Sequence, residues 1–192
     1  MTVALVLYED SRGVGGDFGP HELLAALVAD ERGTDVYSVL RVAKGIPMKG
    51  VGDLLKAIKE LDRFRNFAPG GAPILIVVDN DKIRDHLKLP DAPSADVESA
   101  IRSRCDQPDR LEIALLEDNV ESLIQAVRDC DQPPTLGREQ IDAALAKDIN
   151  ARDLVLTKVA RDPGRRALRD CVRKRMPSLE AAIAFVVSSL GA

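Results

Sequence analysis

The stretch Ile74-Leu-Ile-Val-Val-Asp79-Asn-Asp81 constrains the chain most. Five β-prone apolar residues run directly into two carboxylates one residue apart. Gly70, Gly71 and Pro73 punctuate the start. A short continuous apolar run bounded in this way reads as a strand buried on both faces. Such strands belong to parallel sheets covered by helices. Asp79 and Asp81 then fall where the chain leaves the carboxyl end of the strand, the edge at which open α/β sheets bind ligands. Two oxygen donors on that turn can hold one hard cation, Mg²⁺ above all. The competing reading makes Asp79 a helix cap and Asp81 a first-turn acid, where negative charge is favourable.

The remainder of the chain supports an alternating pattern. Val3-Ala-Leu-Val-Leu-Tyr8 is a second buried-strand run and ends at Glu9 and Asp10. A glycine-bearing loop, Ser11 to Gly19, precedes Pro20, which suits the first helical position. A helix over 20–31 places Leu23, Leu24, Leu27 and Val28 inward, and Gly33 ends it. Residues 36–42 (Val-Tyr-Ser-Val-Leu-Arg-Val) read as the second strand, and residues 51–65 as the next helix. After Asp81 come a short helix near 83–89 and a helix from Ser94 or Asp96 to near Cys105. A fourth strand over 110–116 ends at Glu117 and Asp118, and a helix with Val120, Leu123, Ile124 and Val127 follows. This alternation predicts an α/β fold: a mainly parallel sheet of about four strands with helices on both faces. Beyond Gln132-Pro-Pro-Thr135 the pattern is helical, near 138–147, 151–160, 164–175 and 178–190, with Ser178 capping the last. The expected organisation is an α/β domain over 1–130 and a helical extension over 131–192 packed on it.

Composition removes several function classes. Aromatic residues make up 3% of the chain and Trp is absent, so a base-stacking platform for single strands is disfavoured. The net charge of −4 excludes a uniformly basic coat and leaves room for a local patch. Cys105, Cys130 and Cys171 are scattered and form no Cys-x-x-Cys, which suggests neither a zinc site nor a redox pair. Scattered thiols fit a reducing compartment. With no signal-peptide pattern and no membrane-length apolar run, the expectation is a cytoplasmic protein without a membrane partner. Tyr8 and Tyr37 fall inside strand patterns, so neither reads as an exposed nucleophile. His21 and His86 carry no catalytic signature. The spacing Gly13, Gly15, Gly19 approaches a dinucleotide fingerprint, but no acid for the ribose follows the second strand, so no organic cofactor is expected.

Residues 158–175 hold eight basic side chains and two acidic ones. Arg165, Arg169 and Arg173 share one helix face at four-residue spacing. They read either as a strip that contacts nucleic-acid phosphate or as a solvated face or dock for the chain's own acids.

Glu9 after the first strand and Asp79-x-Asp81 after the third resemble the motifs of the Toprim domain, shared by topoisomerases, bacterial primases and a group of nucleases. The resemblance covers about residues 1–130. It implies a Toprim-like, Rossmann-like α/β fold and a Mg²⁺ or Mn²⁺ site held by Asp79, Asp81 and Glu9, with Glu9 as general base or further ligand. Asp10, Glu117 and Asp118 are second-tier acids on the same edge. The family usually carries glycine after the glutamate, and here that position is Asp10. Lys44-Gly45 through Lys49-Gly50 resembles the loop of small stand-alone Toprim proteins encoded beside ATPases of the overcoming-lysogenisation-defect type, and Lys49 is the phosphate-binding candidate in it. These resemblances imply metal-dependent phosphodiester cleavage in DNA or RNA, in defence against phage or plasmid. The alternative is a non-catalytic interaction module or partner subunit of an ATPase. Phosphodiester cleavage fits the chemistry of such a site, since a cation polarises the phosphoryl oxygen and a carboxylate handles protons. Clustered carboxylates without the cation are expected to repel one another and destabilise the metal-free fold.

Overall fold

The computed structural model describes residues 3–10, 18–67, 71–117 and 120–191. Four strands, β1 (Ala4–Asp10), β2 (Ala43–Lys49), β3 (Ile74–Asp79) and β4 (Leu111–Leu116), form one sheet in the order β2-β1-β3-β4. Every neighbouring pair is parallel. The apolar runs of β1 and β3 occupy the two central positions, where no edge meets water. All six residues of β3 are buried, and Ala4 through Tyr8 of β1 are at most 6% exposed. The fold is α/β with a parallel sheet and C-terminal helices.

The chain divides into two compact units that interleave in sequence. The sheet unit comprises Met1–Val14, Arg41–Glu117 and Ser188–Ala192. Its helices are α3 (Val51–Ala57), continued by a 3₁₀ stretch over Ile58–Phe64, then α4 (Asn80–Leu87) and α5 (Ser94–Arg102). Leu54, Leu55, Ile58 and Leu61 from the first of these join Ile83, Val97 and Ile101 from the other two. Together they pack with Leu5, Leu7, Ile74, Ile76 and Val78 of the sheet into one core. Glu60, at φ −142° and ψ 60°, interrupts the continuous helix expected over 51–65.

The helical unit comprises Gly15–Leu40 and Asp118–Val187. It takes in α1 (Gly19–Arg32), most of α2 (Val36–Val42), α6 (Val120–Cys130), α7 (Arg138–Leu145), α8 (Ile149–Arg161), α9 (Arg166–Arg175) and much of α10 (Glu180–Gly191). Thus α1 and α6 group with the C-terminal helices, and the compact units do not follow a cut at residue 130. α1 packs closely on α8: a Cβ at Gly19 would stand 2.8 Å from the Asp153 Cα and 2.9 Å from the Leu156 Cβ. The Gly19 N–H donates to Asp153 Oδ1 at 3.0 Å. Gly33 ends α1 in the left-handed region at φ 64°, as its sequence position predicts.

Three expectations are corrected. Residues 36–42 form α2 rather than the second strand, and the strand is the next seven residues. Asp35 accepts from the Ser38 N–H at 3.0 Å and from Ser38 Oγ at 2.5 Å, an N-terminal capping arrangement that fixes the helix start. Tyr37 consequently lies exposed on a helix, at 54%. Second, Cys130 and Cys171 form a disulfide within the helical unit, joining the end of α6 to α9. The expectation of unpaired thiols fails because distant positions in sequence meet where those two helices pack. Third, Ser178 does not cap the last helix: a 3₁₀ turn over Pro177–Leu179 precedes α10, and Ser178 Oγ is buried without a hydrogen-bond partner. Among the described residues no helix is long and apolar enough to cross a membrane.

Candidate functional site

The strand order decides which acids can meet. β1 and β3 are neighbours and parallel, with Tyr8 opposite Val77. Glu9 and Asp79 therefore emerge at the same carboxyl edge, on adjacent strands. Their side chains are 6% and 10% exposed. Asp79 is the residue before α4, yet its side chain makes no capping hydrogen bond. Its Oδ2 instead lies 2.8 Å from Lys82 Nζ. The same ammonium reaches Glu9, at 3.2 Å to Oε2 and 3.5 Å to Oε1. One cationic group thus bridges the two carboxylates.

Lys82 was not singled out in the sequence. Its signal was present, since Asp79 and Lys82 stand three apart where a helix begins, a spacing that brings side chains together. Partial burial alone would lower the ammonium's pKa, but hydrogen bonding and charge from Asp79, with Glu9 behind it, outweigh burial and hold it above the ordinary lysine value. Unrelieved repulsion between the acids is therefore not a property of this edge: Lys82 compensates Glu9 and Asp79.

The other expected site residues are distributed unevenly. Asp81 lies in the first turn of α4 and is exposed. Among the described residues no group of three or more His, Cys, Asp or Glu side chains is arranged to hold a metal ion. The structure thus brings Glu9 and Asp79 together without forming a three-acid cluster with Asp81. A pair of carboxylates still fits a hard cation that keeps most of its water, as Mg²⁺ does. Lys49 ends β2, exposed and paired in register with Asp10 of β1, so it belongs to the same sheet edge. Glu117 follows β4 directly and is exposed. The Asp10 side chain, Asp118, Ser11 to Asp17 and Gly70 lie outside what is described. His86 is exposed on α4, whereas His21 is buried at 7% in α1. Tyr8 is buried as expected, and burial raises its phenol pKa, which suits a core residue.

The arginine strip serves the helical unit itself. Arg169 is 4% exposed and grips Asp30 of α1 through both carboxylate oxygens, at 2.6 and 3.0 Å. Its remaining donor reaches the Val159 and Asp162 carbonyls. Arg173 binds Glu180 at 2.6 and 2.7 Å and Glu31 at 2.9 Å. Arg165 donates to Asp162 Oδ2 and Thr135 Oγ1. Arg161 adds a two-pronged pair with Glu22, both bonds 2.7 Å. The acids of α1 are spaced to receive these guanidinium groups, so the dock for the chain's own acids describes their arrangement.

No protein-family model matches the chain, nor does any curated protein or any solved structure.

Proposed function

We propose that the carboxyl edge of β1 and β3 is a divalent-cation site of the Toprim-like kind, acting on phosphodiesters of DNA or RNA. The observation that supports this reading is the convergence of Glu9 and Asp79, from strands about seventy residues apart in sequence, on one cationic atom. A strand pair that gathers two nearly buried carboxylates around a positive charge has the donor chemistry a hard cation uses. Asp79, at the end of β3, is the first ligand, and Glu9, at the end of β1, would take the proton of an attacking water or share the cation. Magnesium or manganese held there would polarise the phosphoryl oxygen and lower the pKa of bound water. Lys49, at the end of the adjoining strand, lies on the edge along which a phosphate backbone would run. Asp81, exposed two residues beyond the strand, adds negative charge beside the pair. A cytoplasmic location belongs to the same reading, and there the Cys130–Cys171 bridge would be open to reduction.

The second reading is a non-catalytic module, such as a partner subunit of an ATPase. It is favoured by Lys82, which already satisfies both acids. The two readings part on cleavage. Single-stranded and duplex DNA and RNA would be incubated with the protein in Mg²⁺, Mn²⁺ or chelator. Metal-dependent cleavage that disappears in both Glu9→Gln and Asp79→Asn supports the enzyme. No cleavage of any of these substrates in either metal supports the module.

A further inference from the structure

We infer that the Cys130–Cys171 bridge is a reversible thiol-exchange site: a dithiol reductant attacks Cys130 through the cleft beside it and releases Cys171 as the thiolate. The inference concerns the helical unit alone and is independent of the cation-site reading.

Three observations carry it. First, the bridge is within reach of solvent. Both cysteines are partly exposed, and a cleft of about 520 Å³ opens beside them. Of the two, Cys130 is the one found among the described residues that line this cleft, with Asp131, Thr135, Arg165 and Leu168. Second, charge favours one direction of cleavage. Cys130 is the last residue of α6, where the negative end of the helix dipole disfavours a thiolate. Cys171 lies inside α9, with Lys174 and Arg175 three and four residues on, a spacing that puts both cations on its side of the helix. Neighbouring cations stabilise a thiolate, and the more stable thiolate is the better leaving group. Access and leaving-group stability therefore select the same sulfur for attack. Third, the junction is clasped without the bridge. Arg165 donates to Thr135 Oγ1 at 2.9 Å and lies 4.0 Å from Asp131, on one side of the disulfide. On the other, Asp129 of α6 pairs with Arg175 of α9 at 3.6 Å. These contacts keep the end of α6 beside α9 after reduction and hold the sulfurs close enough to close again.

The exchange balances as follows. The reductant's thiolate bonds to Cys130 Sγ while the S–S bond breaks, and the bonding pair leaves on Cys171 Sγ. The reductant's second thiolate then attacks its own sulfur in the mixed disulfide and expels Cys130. The chain gains two electrons and two protons, and the reductant is left as a disulfide. What the chain loses is the cross-link between positions 41 residues apart, and with it the restriction that link places on the unfolded state.

The test uses the full-length parent chain, oxidised with diamide and kept native. One sample is treated with glutathione, quenched in acid, alkylated and mapped by peptide mass spectrometry, which also separates the unpaired Cys105 from the pair. A second is treated with millimolar dithiothreitol and followed by circular dichroism and thermal melting. The expected result is exchange within minutes without denaturant, with glutathione on Cys130 in at least about tenfold excess over Cys171. The reduced chain should keep its helicity and melt at least about 5 °C lower. Diamide should then restore the original melting temperature. A bridge that opens only in denaturant is purely structural and overturns the inference. Equal labelling of the two cysteines, or labelling mainly at Cys171, overturns the route through the cleft. Loss of helicity on reduction, or failure to re-form the bridge, overturns the reversible site. Thiols at both positions after diamide treatment would overturn the pairing itself.

Discussion

Asp131 illustrates what a single buried carboxylate does in this protein. It is 4% exposed and follows the last residue of α6. Its Oδ2 accepts from the Thr135 and Leu136 N–H groups at 2.9 and 2.7 Å, and its Oδ1 from Thr135 Oγ1 at 2.6 Å. Burial alone would raise its pKa, but these donors outweigh burial and hold the carboxyl below its ordinary range. A carboxyl depressed in the folded state adds stability above its unfolded pKa, about 3.9. That stability is lost as pH falls through the lower folded value. Asp131→Asn should therefore cost about 1–3 kcal/mol at neutral pH. Its stability should also fall less steeply than the parent's on acidification below about pH 4. Urea melts of both proteins across that range measure the difference, and parallel pH profiles would count against it. Lys82 belongs to this scale too. The acids of the site were visible in the sequence as strand-end residues. For Lys82 the three-residue spacing from Asp79 at the start of α4 marks one contact, but its reach to Glu9 has no local pattern and follows only from the pairing of β1 with β3.

At the level of elements, local composition led astray where tertiary placement decided the structure. Residues 36–42 carry three valines and a tyrosine, a strand-like set, yet they form a helix started by Asp35 and Ser38. The real strand, Ala43-Lys-Gly-Ile-Pro-Met-Lys49, holds both glycine and proline. It is tolerated because β2 is an edge strand, where one side needs no N–H partner. β1, β3 and β4 were legible because their apolar runs are long and sharply bounded. The glycine that opens α1 was legible as a glycine but not for its purpose. Gly19 permits α1 to touch the backbone of α8, and an added methyl would collide with Asp153 at 2.8 Å. Gly19→Ala should cost about 1–3 kcal/mol through this overpacking. A change within a few tenths of a kcal/mol in chemical denaturation would mean the helices part without strain. The arginines show the same limit: four-residue spacing revealed their common face, but not the Glu22, Asp30 and Glu31 carboxylates waiting on α1.

On the scale of the whole molecule, the chain leaves the sheet unit after β1, builds α1 into the helical unit and then returns for β2. A linear reading sees one α/β domain followed by a tail, because sequence order gives no warning that the first helix has its packing partner some 130 positions later, at α8. The Cys130–Cys171 bridge is hidden for the same reason, since it joins helices whose contact is not encoded locally. It follows that residues 131–192 expressed alone lack α1 and α6 and leave the apolar faces of α8 and α9 uncovered. This fragment should show reduced helicity by circular dichroism and no cooperative melting, and a sharp transition would overturn the interleaved account. The strand order, by contrast, carries the site. Once β1 lies beside β3, Glu9 and Asp79 must share an edge, and the acidic motif becomes a place where a cation can bind. That claim is tested most directly by thermal melting of the full chain in Mg²⁺ and Mn²⁺ from micromolar to millimolar concentration, beside the Glu9→Gln/Asp79→Asn double variant. The account predicts a melting temperature that climbs with metal in the parent, by linkage of binding to folding, and stays constant in the variant. A flat response in the parent, or an equal rise in both proteins, would contradict it.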